Sequence, residues 1–287
     1  MPGHRGYALH VPGQVALGAL TPSRNYSIFR YMCQLDVLAN FQKLQKLELW
    51  GGDFYVDNYV NMLENIGPGL LKLDLHHVDN IDFRAISVIS FNCQKLKHLR
   101  FGGCAFVERI TEDVSEDVQD EFFNQQQRRI EHEIEAQLVP FLDLEEISIS
   151  NQCPENLLVK ILCLCINIKK LVLGMHCQIT DQCFDRIFPQ NKFQYLEQIE
   201  IRKNDLLTMR TLSNILLYCD NITSILDIDG WSKVDRDDLE ELREHMRDNN
   251  IDIVLEEQQE DSRGVSLYQI CQSALKERYG RVSWADD

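Results

Sequence analysis

No stretch of this sequence approaches the ~20 consecutive apolar residues that a bilayer-spanning helix needs, so membrane insertion is not expected. Positive charge is also in short supply. Against 45 Asp and Glu stand 29 Lys and Arg, a formal net charge of −16. That balance argues against a nucleic-acid partner, which requires a basic face to displace counterions from phosphates. It argues equally against docking on anionic membranes. A Walker loop, G-x-S-x-G and H-E-x-x-H are all missing, and with them the common spacings for phosphoryl transfer, acyl transfer and zinc hydrolysis. Neither enzymatic activity nor a cofactor is expected.

An export signal is lacking too. In residues 1–35 no apolar core of about 7–15 residues follows a basic start. The ten cysteines are therefore expected as free thiols in a reducing cytoplasm or nucleus. The same 35 residues hold three arginines and no Asp or Glu, a bias shared with mitochondrial presequences. Pro2, Gly3, Gly6, Pro12, Gly13 and Gly18 would interrupt an amphipathic helix there. A disordered or capping leader over 1–40 is the first expectation, with mitochondrial import the secondary one.

What the chain does contain is a repeat. Its 44% hydrophobic and 26% charged residues suit a folded soluble protein. Segments of the form L-x-x-L-x-L recur: "LQKLEL" from Leu44, "LLKLDL" from Leu70, "LKHLRF" from Leu96, "LEEISI" from Leu144, "IKKLVL" from Ile168, "LEQIEI" from Leu196 and "ITSILD" from Ile222. Start-to-start steps are 26, 26, 48, 24, 28 and 26. The last segment departs from the pattern, and Ile228 suggests a shifted register there. "IDIVLE" from Ile251 is a candidate closing strand.

Between these segments lie helical patterns. Tyr59, Leu63 and Ile66 share one face, as do Phe83, Ile86 and Ile89, and then Leu212, Ile215 and Leu216. Asp57, Asp82 and Asp181 are candidate N-caps. One strand plus one helix per ~26 residues is the unit of a leucine-rich repeat. The expected fold is α/β: a right-handed solenoid over 41–256, of seven to eight repeats, with strands on the concave wall and helices on the convex wall.

The stretch "CLCINIKKLVLGMHCQITDQC", Cys163 to Cys183, gathers four cysteines and His176 and looks at first like a metal module. Alignment with the repeat gives each thiol a structural address. Cys93, Cys165 and Cys219 lie three residues before a repeat start, a place taken elsewhere by Phe41, Phe141 and Phe193. A slot that accepts Cys or Phe is apolar and buried. Cys104, Cys153 and Cys177 fall eight or nine residues after a start, in the turn leaving the strand, where leucine-rich repeats place Asn or Cys. Cys163 belongs to one helix and Cys183 to the start of the next. No metal site is expected.

"NCQKLKHLRFGGC" and "LCINIKKLVLGMHCQITDQCFDRI" resemble the cysteine-containing repeat of F-box/leucine-rich-repeat proteins, over about residues 41–256. The resemblance implies a protein-recognition solenoid, in that family the substrate receptor of Skp1–cullin–F-box ubiquitin ligases. Residues 1–40 carry no F-box-like segment with its "LP" opening and late Trp. A Skp1-like adaptor is thus an expected partner only where an F-box lies outside this chain. The alternative is a binding or assembly scaffold with no ligase link.

The 48-residue step contains an acidic insertion over about 107–137, and 257–287 forms a tail in which Ser266 and Gln269 suggest a capping box. Alternation along the strands sends Lys46, Glu48 and Trp50 to the concave wall. It does the same for Lys72, Asp74 and His76, and for His98, Arg100 and Gly102. Later repeats add Lys170 and Arg202. The expected ligand is a protein or peptide, and the candidate contact residues are Trp50, His76, His98, Arg100, Lys170 and Arg202. Trp50 and Arg100 are the preferred anchors, because Trp and Arg dominate interface hot spots. His76 and His77 are expected on opposite faces of their strand.

Overall fold

The computed structural model describes residues 25–29, 35–52, 56–107 and 138–256. The acidic insertion, apart from its first residue, and the C-terminal tail with Ser266 and Gln269 lie outside the described residues. The chain is α/β, and it divides into two compact units. One comprises Met1–Leu144 with Asn156–Leu164, the other Glu145–Glu155 with Cys165–Asp287.

In the first unit, β1 (Asn25–Phe29), β2 (Lys46–Trp50), β3 (Lys72–His76) and β4 (His98–Gly102) pair in parallel in that order. β1 falls inside the segment expected as a leader. Parallel neighbours need a long crossover, supplied here by α1 (Val56–Ile66) and α2 (Phe83–Asn92). The strands bury Leu47, Leu49, Leu73, Leu75, Leu99 and Phe101. Against them α1 buries Tyr59, Met62, Leu63 and Ile66, and α2 buries Ala85, Ile86 and Ile89. Each of these leucine, isoleucine, methionine and phenylalanine side chains contributes about 1.5–3 kcal/mol of burial.

Asp82 caps α2, its Oδ1 accepting the Ala85 N–H at 3.0 Å. Asp57 lies inside α1, which begins at Val56. Phe83 is only half-buried, and the Lys160 ammonium of α3 (Glu155–Leu164) lies 4.2 Å from its ring centroid.

In the second unit, β5 (Glu146–Ile149), β6 (Lys170–Leu173), β7 (Gln198–Ile201), β8 (Ser224–Leu226) and β9 (Val254–Glu256) are again parallel and sequential. With them run α4 (Asp181–Ile187), α5 (Met209–Tyr218) and α6 (Arg236–Asp248). The sequence suggested a shifted register at Ile222; the structure has none. Ile225 pairs with Ile199, and Asp227 takes the third apolar position in a left-handed conformation with φ 61°. The closing strand lies within "IDIVLE", one residue out of the repeat register. β9 starts at Val254, and Leu255 partners Ile225.

Two recurring turns explain the sequence pattern. Three residues before four of the repeat starts, a carbonyl closes a turn with the N–H of the first leucine: Leu44 to Phe41 at 2.8 Å, Leu70 to Gly67 at 2.9 Å, Leu96 to Cys93 at 3.0 Å, Leu196 to Phe193 at 2.9 Å. Gly67 fits this slot because a Cβ there would lie 2.7 Å from the Asn92 carbonyl oxygen. Seven residues after the start, Gly51, His77, Gly103 and Lys203 all adopt positive φ. That conformation turns the chain out of its strand.

Candidate functional site

The outward positions of β2, β3 and β4 form three rows in register. The first is Lys46, Lys72 and His98; the second Glu48, Asp74 and Arg100; the third Trp50, His76 and Gly102. Leu47, Leu49, Leu73, Leu75, Leu99 and Phe101 anchor the opposite side of the same strands in the core, so the face rests on a rigid backing.

The third row is the most organised. The Trp50 indole stacks on the His76 imidazole with ring centroids 4.2 Å apart and planes inclined by 15°. Its N–H donates to Glu48 Oε1 at 2.7 Å. The same oxygen lies 3.6 Å from His76 Nε2, beyond hydrogen-bond range. Gly102 makes room for this arrangement: a Cβ at that position would come within 2.5 Å of His76 Nδ1. Burial pushes His76 below its ordinary value of 6.5. Arg100 and His77 act in the same direction, while Glu48 and Asp74 oppose it. The imidazole is therefore neutral at pH 7, a flat aromatic partner rather than a cation.

The two histidines do not point to opposite faces. His77 has left the strand with φ 52°, and its ring lies 6.0 Å from that of Trp50. Strand alternation stops at His76, so the rule that separated them no longer applies. Among the described residues, no group of three or more His, Cys, Asp or Glu is placed to hold a metal ion.

In the second row, Asp74 is buried and pairs with Lys72 at 2.8 Å. Arg100 is exposed. The other two candidate residues belong to the second unit. Lys170 is half-buried and sits in register between Glu146 and Gln198. Arg202 is exposed, and its Nε–H donates to Glu200 Oε1 at 2.5 Å. The structure thus brings four candidates together in the first unit and leaves two in the second. Sequence reasoning listed Glu48 and Gly102 on the wall but gave neither a role. The signal was a glycine in β4 directly opposite His76.

The thiols are committed to the fold. Cys93, Cys165 and Cys219 are fully buried. In the turn after the strand, the Cys104 thiol donates to the Leu75 carbonyl at 3.2 Å. At the equivalent places Asn204 Nδ2 donates to Ile179 at 3.0 Å, and the Trp231 indole N–H to Ile201 at 2.9 Å. Burial pushes Cys93 and Cys177 up to about 12 and Cys104 up to about 11. Cys183 sits at the third position of α4 in a capping box. It donates its backbone N–H to Thr180 Oγ1 at 3.2 Å, and its sulfur accepts the Thr180 N–H at 3.4 Å. None of these is a poised nucleophile.

No family model matches the chain, and no curated protein matches it. Among the described residues no helix is long and apolar enough to cross a membrane.

Proposed function

We propose that the chain is a leucine-rich-repeat solenoid that recognises a protein or peptide on its strand face, as the substrate-recognition part of a Skp1–cullin–F-box-type ubiquitin ligase. Support for the repeat comes from parallel strands at near-26-residue steps, four of which have the same turn before them and a left-handed residue after them. The observation that carries the functional reading is the Trp50–His76 ledge. A large aromatic side chain stands on the outward side of a strand, its orientation set by a stacked neighbour and by the Glu48 hydrogen bond. A side chain held this way loses little entropy on binding, which suits a recognition anchor.

The test is affinity capture of crosslinked partners on the full chain and on a Trp50→Ala variant, read by mass spectrometry. The reading predicts a protein that the wild type retains and the variant loses, with a Skp1-like adaptor in the same complex when an F-box is supplied by the full gene product. An identical set of partners on both baits would overturn the recognition role. A W50A-sensitive partner without any adaptor would leave recognition standing and remove the ligase role in favour of a scaffold.

A further inference from the structure

The charged groups on the first unit's strand face are unequally engaged, and the imbalance identifies the chemistry of what the face takes. Both carboxylates are committed within the face. Glu48 accepts the Trp50 N–H, and buried Asp74 pairs with Lys72. Lys46 and Arg100 are exposed and enter no ion pair among the described residues. We propose, building on the recognition reading above, that the bound segment is an acidic stretch of protein, with carboxylates seated at Lys46 and Arg100 and an apolar or aromatic side chain laid on the Trp50 ledge.

The formal charge of −16 does not decide against this. At physiological salt, charges beyond ~8 Å are largely screened. A carboxylate at ~4 Å from a surface cation lies well inside that range. The local lattice therefore governs contact, and the remote charge governs only the rate of approach. A basic segment would meet Lys46, Lys72 and Arg100, and both carboxylates of the face already have partners. A nucleic acid would present many phosphates to three cations, too few to hold it against salt.

Spacing adds a constraint. Lys46 and Arg100 lie two strands and one row apart, roughly 12 Å at ~4.8 Å per strand and ~3.3 Å per residue. An extended peptide covers that distance in about four residues; the ledge lies in the third row, beyond that of Arg100, so it meets residues flanking that span.

The experiment is selection of a random dodecapeptide display library on the full chain, followed by binding measurements with the enriched peptides. The expected winners are net acidic, with carboxylates about four residues apart and an aromatic or large apolar residue flanking the pair. Their affinity falls ~10-fold or more in Arg100→Glu and in Lys46→Glu, and falls as salt rises. The exposed Lys192→Glu control binds as wild type, and circular dichroism verifies that all variants fold. Basic or uncharged winners, no enrichment, or acidic winners indifferent to R100E would each overturn the proposal. A short oligouridine bound in an R100E-sensitive way would put a nucleic acid there instead. If a W50A-sensitive protein partner exists but the library yields no acidic peptide, the acidic assignment fails alone. If no such partner exists, the recognition reading fails with it.

Discussion

Asp181 accepts two hydrogen bonds from Thr208, one from its backbone N–H at 3.0 Å and one from its hydroxyl at 2.8 Å. Asp181 opens α4, and Thr208 caps α5. The Thr211 hydroxyl adds a third bond to the same carboxylate. One side chain thus fastens the start of α4 to the start of α5. Asp181→Ala is expected to cost about 1–3 kcal/mol in urea unfolding. A double-mutant cycle with Thr208→Val should show coupling of about 0.5–3 kcal/mol, and additive effects would dissolve the link.

That role was only half legible in the sequence. "ITD" offers two good capping residues in succession, and the choice between them depends on backbone conformation. Thr180 is extended, with φ −106° and ψ 162°, and caps α4, which frees Asp181 to reach the neighbouring helix. The strands were legible because alternation along "LQKLEL" and its relatives puts every second residue in the core. The Cys and Phe slots were legible because two apolar types interchange there. The His76–His77 geometry was not legible, since alternation says nothing once a residue turns to positive φ. Nor was the role of Trp231, which matches no leucine-rich-repeat consensus residue and yet donates to the Ile201 carbonyl, the counterpart of the Leu75 carbonyl that Cys104 uses.

Trp231 supplies the next prediction. It is buried, and its indole N–H is a donor to the Ile201 carbonyl. Trp231→Phe keeps most of the bulk and removes the donor, at an expected cost of about 1–3 kcal/mol in denaturant unfolding. Trp231→Ala should cost about 3–5 kcal/mol. A Trp231→Phe variant as stable as the wild type would assign the role to packing alone.

Gly102→Ala probes the ledge without touching its aromatic rings. The added methyl would occupy the space of His76 Nδ1, so the imidazole must swing away from Trp50. Burial is the main cause of the low His76 value, and release toward solvent should raise it. The predicted NMR titration lies below 6.5 in the wild type and moves upward in the variant. The linkage follows the same sign. A depressed histidine leaves the folded state with fewer protons than the unfolded chain, so its contribution is present above pH 6.5 and declines as pH falls.

The thiols predict an alkaline limit. Cys93 and Cys177 are pushed from 9.0 up to about 12, and Cys104 to about 11. Between these values the unfolded chain has lost protons that the folded chain keeps. Stability is therefore full below pH 9 and declines as pH rises toward 12, with a slope near 1 kcal/mol per pH unit for each such thiol. Of the eight described cysteines, Cys163 alone is partly exposed. Alkylation of the native protein at neutral pH, mapped by mass spectrometry, should modify Cys163 first and the other seven only on unfolding.

The central claim is that the first unit's strand face binds a protein through Trp50 and Arg100. The direct measurement is the dissociation constant of the captured partner for the wild type, Trp50→Ala and Arg100→Ala, determined by calorimetry at fixed salt. Each substitution should weaken binding by more than ~1 kcal/mol, a loss of about fivefold or greater. Unchanged affinity in both variants, with the fold intact, would contradict the account.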